Sequence, residues 1–172
     1  MKPRSQDTIL VTGLSTVLAV ATGAASWFLL CTGKPLFTSA VRRQVQFAIV
    51  APYDSALLTV DRGSVRYDAT TGLLSFSVYF GRGTTRLSFS EQPTPGGLGT
   101  TPGLYDKLMV KLNTYMSIDS RLGVLSLAHP TELSGGQSAL LSSHGSLVVI
   151  RPNATLGEAD WRHIAAKLEV LP

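Results

Sequence analysis

An uncharged apolar segment near the N-terminus constrains this chain more than any other feature. Thr8 to Gly33 spans 26 residues without a single Asp, Glu, Lys or Arg. A helix of that length rises about 39 Å, which exceeds the roughly 30 Å of a bilayer's hydrocarbon core. A core helix of a water-soluble protein would need a polar face, and this segment offers only Ser, Thr and Gly. The sequence therefore predicts a transmembrane helix within residues 1–33.

The orientation of this helix follows from its place in the chain rather than from charge. Basic residues flank it on both sides, namely Lys2, Arg4, Lys34, Arg42 and Arg43. A short N-terminal tail before a long domain is typical of a signal anchor whose N-terminus stays in the cytoplasm. We expect a single-pass protein of the cytoplasmic membrane, N-inside, with its C-terminal domain outside. Trp27, Arg42 and Arg43 are expected at the membrane interface.

Two other readings of the N-terminus stay open. A signal peptide could be cleaved at the small residues 23–26, although the apolar residues 27–31 continue directly after them. A pilin-type helix would carry a glutamate near the start of its apolar stretch, but the first glutamate is Glu91. The one cysteine, Cys31, follows Leu30 rather than the small residue that a lipidation signal needs, and it excludes an internal disulfide.

The remainder of the chain predicts one α+β domain at residues 45–172, after a juxtamembrane connector at 34–44. Apolar and polar residues alternate with the period of two that is typical of half-buried strands. Apolar spacing of three and four residues marks two helices. The predicted strands are 45–50, 64–68, 73–80, 84–90, 123–129, 137–142 and 146–151, the segment 54–63 is ambiguous, and the helices run from 102 to about 116 and from 155 to 168.

Turns of hairpin length join most of these strands, so we expect an antiparallel sheet. In the second helix, Trp161, Ile164, Ala165 and Leu168 form one apolar stripe. Helices of this kind would cover one face of the sheet. The predicted fold is therefore α+β: an N-terminal transmembrane helix followed by a two-layer sandwich of antiparallel sheet and two helices.

Residues that could carry chemistry are scattered. His129, His144 and His163 are not at metal-ligand spacing from one another, and no G-x-S-x-G motif occurs around the serines. We therefore expect no catalytic, cofactor-binding or metal-binding residues, no cofactor, and no enzymatic activity. The most individual segment is a candidate contact loop, Glu91, Gln92, Pro93, Thr94 and Pro95, where a strand leads into a proline-rich stretch. The alternative interpretation is a strand terminator that crosses to the helix.

Several segments together resemble a family of bacterial proteins with one N-terminal membrane helix and a small extracytoplasmic α+β domain. The segments are the strand and loop at 88–95, the helix ending near Tyr115, the strand at 123–127, and the hairpin at 143–147 before Trp161. The resemblance covers residues 45–168 and consists of strand and turn patterns. It implies the fold and the anchor, and it carries no activity and no site residue.

The sequence predicts a membrane-anchored binding or interaction module outside the cytoplasm. A structural component of an envelope secretion, conjugation or pilus-like assembly is one alternative, and an envelope hydrolase is another. The expected partners are the lipid bilayer and another envelope protein. The net charge of +4 is spread along the chain, so no nucleic-acid partner is expected. The sequence leaves the state of homo-oligomerisation open.

Overall fold

The domain is built from antiparallel strands and short helices in the part of the chain that the structure describes. The computed structural model describes residues 36–83, 85–98, 101, 103–129 and 136–171. Phe37 to Pro172 form one compact unit, which begins within the predicted connector. In chain order the elements are α1 Ser39–Gln44, β1 Ile49–Pro52, β2 Leu58–Asp68, β3 Leu73–Phe80, β4 Thr85–Pro93, α2 Leu104–Lys111, β5 Thr114–Ser120, β6 Gly123–Ala128, β7 Ser138–Ser143, β8 Ser146–Pro152, α3 Glu158–Lys167 and β9 Leu168–Leu171.

Seven of these strands form one antiparallel sheet in the order β2-β3-β4-β8-β7-β6-β5. The strands β2 to β4 form one meander and β5 to β8 a second, and the pairing of β4 with β8 joins them, with Phe89 opposite Ile150. The remaining strands, β1 and β9, pair with each other in a separate two-stranded sheet. Each of these pairings is antiparallel, which confirms the sheet type predicted from the hairpin-length turns.

The core lies on one face of the seven-stranded sheet, which we call the inner face. Phe76 on β3 and Phe89 on β4 are directly opposite and their rings stack with centroids 4.9 Å apart. The ring of Phe37 meets Phe76 edge-on at 5.3 Å. The predicted apolar stripe is buried against this core, with Trp161, Ile164 and Ala165 on α3 and Leu168 at the start of β9, each at most 2% exposed. Each large side chain buried in this way stabilises the fold by about 1.5 to 3 kcal/mol.

Helix α3 lies on the inner face. It packs beside β5 at one edge of the sheet, and its His163 ring lies 6.3 Å from that of Phe80, on the strand next to the other edge. We call the opposite face of the sheet the outer face.

The two predicted helices cover opposite faces of the sheet, and the expectation that they share one face is wrong. Met109 of α2 packs against Ala128 and Leu140. Leu140 alternates along β7 with the inner-face residue Leu141, so its side chain projects from the outer face. The apolar spacing of each helix gives its buried side, but not the sheet face against which that side packs.

The first of the two predicted helices, which is α2 in the structure, ends sooner than predicted. Helix α2 stops at Lys111, Asn113 adopts a positive φ of 54°, and β5 begins at Thr114. Tyr115 and Met116 continue the helical spacing of the apolar residues before them, but they belong to this strand. Asn accepts the left-handed conformation more easily than most residues, which allows the chain to leave the helix here.

Two strands at the N-terminal end of the domain also differ from prediction. The ambiguous segment 54–63 and the predicted strand 64–68 contribute to one strand, β2, of 11 residues, which has a register shift between Asp61 and Arg66. The first strand is β1 at Ile49–Pro52 rather than 45–50. In contrast, β3 occupies the predicted residues Leu73–Phe80, where alternation is uninterrupted.

No helix among the residues described by the structure is long and apolar enough to cross a membrane. The predicted transmembrane segment, residues 8–33, lies outside those residues, as does Trp27.

Candidate functional site

The carboxyl group of Glu91 lies inside the domain. Glu91 is on β4, directly opposite Leu74 of β3 and Val148 of β8, and its side chain projects from the inner face. It is 0% exposed. A glutamate is almost never fully buried without a partner, because removing a carboxylate from water is costly. This residue therefore needs a structural or chemical explanation.

The explanation lies in the first strand of the domain. Val50 N–H, in the middle of β1, donates a hydrogen bond to Glu91 Oε2 at 3.0 Å. Two residues before Val50, the carbonyl of Ala48 accepts a hydrogen bond from Ser146 Oγ at 2.5 Å. These two hydrogen bonds hold β1 over the inner face. The strand β1 has no backbone ladder with the seven-stranded sheet, because it pairs with β9. Glu91 Oε1 has no hydrogen-bond partner among the described residues.

Burial raises the pKa of the Glu91 carboxyl to about 8, and the hydrogen bond from Val50 N–H lowers it by less. The group is therefore mostly protonated and neutral at pH 7, which removes the cost of a buried charge. A neutral buried acid could serve as a proton donor only if a substrate could reach it. The full burial of Glu91 argues for a structural role.

The histidines are held apart from Glu91 and from one another. His163 lies beside Phe80, at the other end of β3 from Leu74, which is roughly 20 Å along the strand. His129 stacks on Tyr115 with ring centroids 4.4 Å apart, and His144 Nδ1 is 2.8 Å from Ser143 Oγ. Within the described ranges, no three His, Cys, Asp or Glu residues are grouped as a metal site would need.

The predicted contact loop is largely a strand. Glu91, Gln92 and Pro93 are the last residues of β4, which extends beyond the predicted end at Ser90. Thr94 follows the strand, and its N–H donates to the carbonyl of Gly145 at 2.8 Å. The carboxyl of Glu91 faces the core while Pro93 is exposed, so the five residues do not present one continuous surface. Pro93 is accommodated because it is the final residue of the strand.

Of the residues predicted at the membrane interface, Arg42 and Arg43 are described. Both are exposed on α1, the first helix of the domain, and Arg43 Nε donates to the carbonyl of Ser39 at 3.2 Å. The helix has Thr38 as its N-cap, whose hydroxyl accepts from Val41 N–H at 3.4 Å. Both guanidinium groups are therefore on the surface of the element that opens the compact unit.

An apolar pocket of about 350 Å³ lies between the proline- and glycine-rich stretch and α2. Its lining consists of Leu98, Leu104, Lys107, Leu108 and Lys111. The helical spacing predicts an apolar side for α2, and Leu104 and Leu108 of that side line the pocket, while Leu108 also packs against the cluster of Met109, Ala128 and Leu140. Sequence patterns do not indicate the pocket itself, because Leu98 reaches it from a separate segment.

A polar part of the outer face is the second unusual feature, and α2 does not pack on it. Ser77 on β3 is opposite Ser88 on β4, and the neighbouring pair is Ser75 opposite Ser90. Larger side chains border these four serines. We call the whole group the arginine–serine face: Ser75, Ser77, Tyr79, Arg86, Ser88, Ser90 and Arg151.

Hydrogen bonds and strand pairing define the positions of the two arginines of this face. Arg86 Nε donates to Ser77 Oγ at 2.9 Å, and Arg86 N–H donates to Asn153 Oδ1 at 2.8 Å. Arg151 is opposite Ser88, so it lies diagonally across from Arg86, at about 7 to 8 Å in such a pair. Both side chains are exposed, and neither forms an ion pair with another residue described by the structure. The sequence could not bring them together, because it does not reveal that β4 pairs with β8.

Comparisons with known proteins add no functional assignment. No family model matches the chain, and no curated protein and no solved structure is similar to it. The resemblance to a family of anchored bacterial proteins therefore stays a prediction.

Proposed function

We propose that this chain is a single-pass membrane-anchored interaction module outside the cytoplasm, which binds another envelope protein. The observation that carries this proposal is the outer face of the sheet. Where α2 packs, that face is covered, but on the half formed by β3, β4 and β8 the side chains of Tyr79, Arg86, Ser88 and Arg151 are exposed, while Ser77 is buried under its hydrogen bond with Arg86. An exposed, ordered surface on a rigid sheet is suited to recognition.

The distribution of reactive groups supports a binding role rather than catalysis. Glu91 is fully buried, and His163 lies roughly 20 Å further along the sheet. A hydrolase would need a nucleophile and a base within hydrogen-bond reach of each other at an accessible place. Ser143 Oγ and His144 Nδ1 are 2.8 Å apart, but these are consecutive residues at a tight turn and Ser143 is only 7% exposed, so its hydroxyl is poorly placed to attack a substrate.

The anchor supports the location. Residues 8–33 form the long uncharged segment, and Arg42 and Arg43 on α1 are exposed only a few residues later. Because Lys2 and Arg4 lie at the other end of the segment, these basic side chains do not decide the orientation, and the location outside is proposed from the long domain that follows a short N-terminal tail. The proposed arrangement is a tether of residues 1–33 that carries the compact unit on the outer side of the cytoplasmic membrane.

Site-specific photocrosslinking in intact membranes tests the binding role. A photoreactive residue at Ser88 places the probe within the arginine–serine face, and one at Arg121, in the turn between β5 and β6, is the matched control. We expect a discrete crosslinked protein from position 88 and none from position 121. The same products from both positions, or no product from position 88, would contradict the proposal.

A further inference from the structure

We propose that the arginine–serine face binds acidic side chains of a partner protein, with Arg86 and Arg151 as the two anchoring cations. This inference rests on the proposed function and goes further, because it identifies the surface and the chemistry of the partner. Three observations carry it: two exposed arginines without carboxylate partners in the described structure, small hydroxyl side chains beside them, and an exposed aromatic ring opposite Arg86.

The two guanidinium groups supply the charge. A guanidinium presents its N–H donors in a planar fork that matches a carboxylate, and such charge-assisted pairs are among the stronger hydrogen bonds. The bond from Arg86 Nε to Ser77 Oγ holds that side chain along the sheet, which lowers the entropy lost when a partner binds. Arg151, on the adjacent strand, is close enough for both cations to contact one acidic segment.

Carboxylates on the same face do not neutralise these cations. Asp61 and Asp68 both lie on β2, the edge strand, and their oxygens are used locally. Asp61 Oδ1 accepts from Gly63 N–H at 3.1 Å. Asp68 accepts from Thr70 N–H and from Thr71 Oγ1, each at 2.9 Å, and these bonds lower the pKa of Asp68. Asp61 is opposite Ser77, to which Arg86 Nε is bound, but Asp61 forms no ion pair with Arg86 in the described structure.

The composition of the face favours a protein over other anionic partners. Tyr79 is directly opposite Arg86 and is 38% exposed. Tyrosine and arginine are the residues enriched at the energetic centres of protein interfaces, whereas lysine is depleted there. Ser75, Ser88 and Ser90 are small and leave room beside these larger side chains, so that a partner's acidic side chains can approach the sheet closely. An acidic segment of another envelope protein is therefore the occupant to which the charge and the shape point.

Binding of a fluorescent deca-glutamate peptide to the purified full-length chain in detergent micelles tests this proposal. We expect Arg86→Gln and Arg151→Gln each to weaken binding by about tenfold, the loss of one charge-assisted contact. Arg121→Gln removes the same charge from an exposed turn outside the face and should change binding by less than twofold. Arg86→Lys, which keeps the charge but not the fork, should bind with intermediate affinity. Thermal unfolding checks that each variant is folded.

Four results would overturn the proposal. They are no binding of the peptide by the unaltered chain, unchanged binding by both face variants, equal weakening by Arg121→Gln, and tighter binding of a sulfated oligosaccharide than of the peptide at the same face. The last result would assign the face to an anionic glycan. None of these outcomes depends on the crosslinking from position 88, so failure here and failure of the proposed function remain distinguishable.

Discussion

At the scale of single residues, Glu91 shows how context overrides residue type. Its sequence neighbours Pro93 and Pro95 predict the end of a strand, so the carboxyl was expected on a surface loop. The strand instead continues to Pro93, and alternation along β4 turns Glu91 toward the core after Leu87 and Phe89. Val50 N–H donates a hydrogen bond to the carboxyl, which allows it to stay in the core. That hydrogen bond joins residues 41 positions apart in the sequence.

The buried carboxyl makes the stability of the domain depend on pH. The folded-state pKa of Glu91 is raised from 4.5 to about 8, so between these values the folded state binds more protons than the unfolded state. Its contribution is fully present below about pH 4.5 and is lost as pH rises through 8. We expect the midpoint temperature of thermal unfolding to decrease as the pH is raised from 5 to 8. The free energy of unfolding should fall by at most about 1.4 kcal/mol per pH unit.

The variant Glu91→Gln isolates this contribution. The amide keeps an acceptor for Val50 N–H but does not titrate, so its unfolding midpoint should depend much less on pH over the same range. Glu158→Gln is the matched control, since Glu158 is exposed and pairs only with Arg162. A slope in Glu91→Gln equal to that of the unaltered chain would show that other groups cause the dependence.

At the scale of elements, alternation predicts β3, β4, β6, β7 and β8 closely, but it misses β5 and β9, and the apolar spacing does not give the helix lengths. Leu74, Phe76, Val78 and Phe80 mark β3 without interruption, whereas α2 gives way to β5 inside a run whose apolar spacing stays helical. The spacing of apolar residues depends only on neighbours in the sequence. The strand β5 forms because β6 provides it with backbone hydrogen-bond partners. The juxtaposition of Arg86 and Arg151 was out of reach for the same reason, since it depends on pairing between distant strands.

A side-chain clamp also determines where α3 begins. Gln137, just before β7, accepts from Leu156 N–H at 2.7 Å and donates to the Leu156 carbonyl at 3.1 Å and to Tyr115 Oη at 3.0 Å. Leu156 precedes Gly157, the N-cap of the helix, whose N–H is in turn bound by Asp160. One amide side chain therefore connects β5, β7 and the start of α3.

Removal of this clamp should destabilise the domain measurably. Gln137→Ala deletes three hydrogen bonds and leaves the backbone of the buried Leu156 with fewer partners, so we expect a loss of about 1 to 3 kcal/mol. Gln46→Ala, at an exposed position, should change stability by less than about 0.5 kcal/mol. Urea unfolding measures both. Equal midpoints for the two variants would mean that the clamp contributes nothing.

At the scale of the whole molecule, the two ends of the domain are joined. The strand β1, which follows α1, pairs with β9, the last strand described, with Ile49 opposite Leu171. This closure is non-local and leaves no pattern in the sequence. The anchor is the opposite case: residues 8–33 are predicted to cross the bilayer because of local hydropathy alone. The proposed function combines this local prediction with an interface that only the fold reveals.

Fractionation of cells that produce the full-length chain tests the membrane tether most directly. We expect the intact chain to sediment with membranes at high speed, to resist extraction by high salt and alkaline carbonate, and to be released by detergent. A variant with two charges in the apolar segment, Leu18→Arg with Val20→Arg, should shift toward the soluble fraction. An intact chain that stays in the supernatant, with residues 8–33 shown by mass spectrometry to be present, would contradict the account.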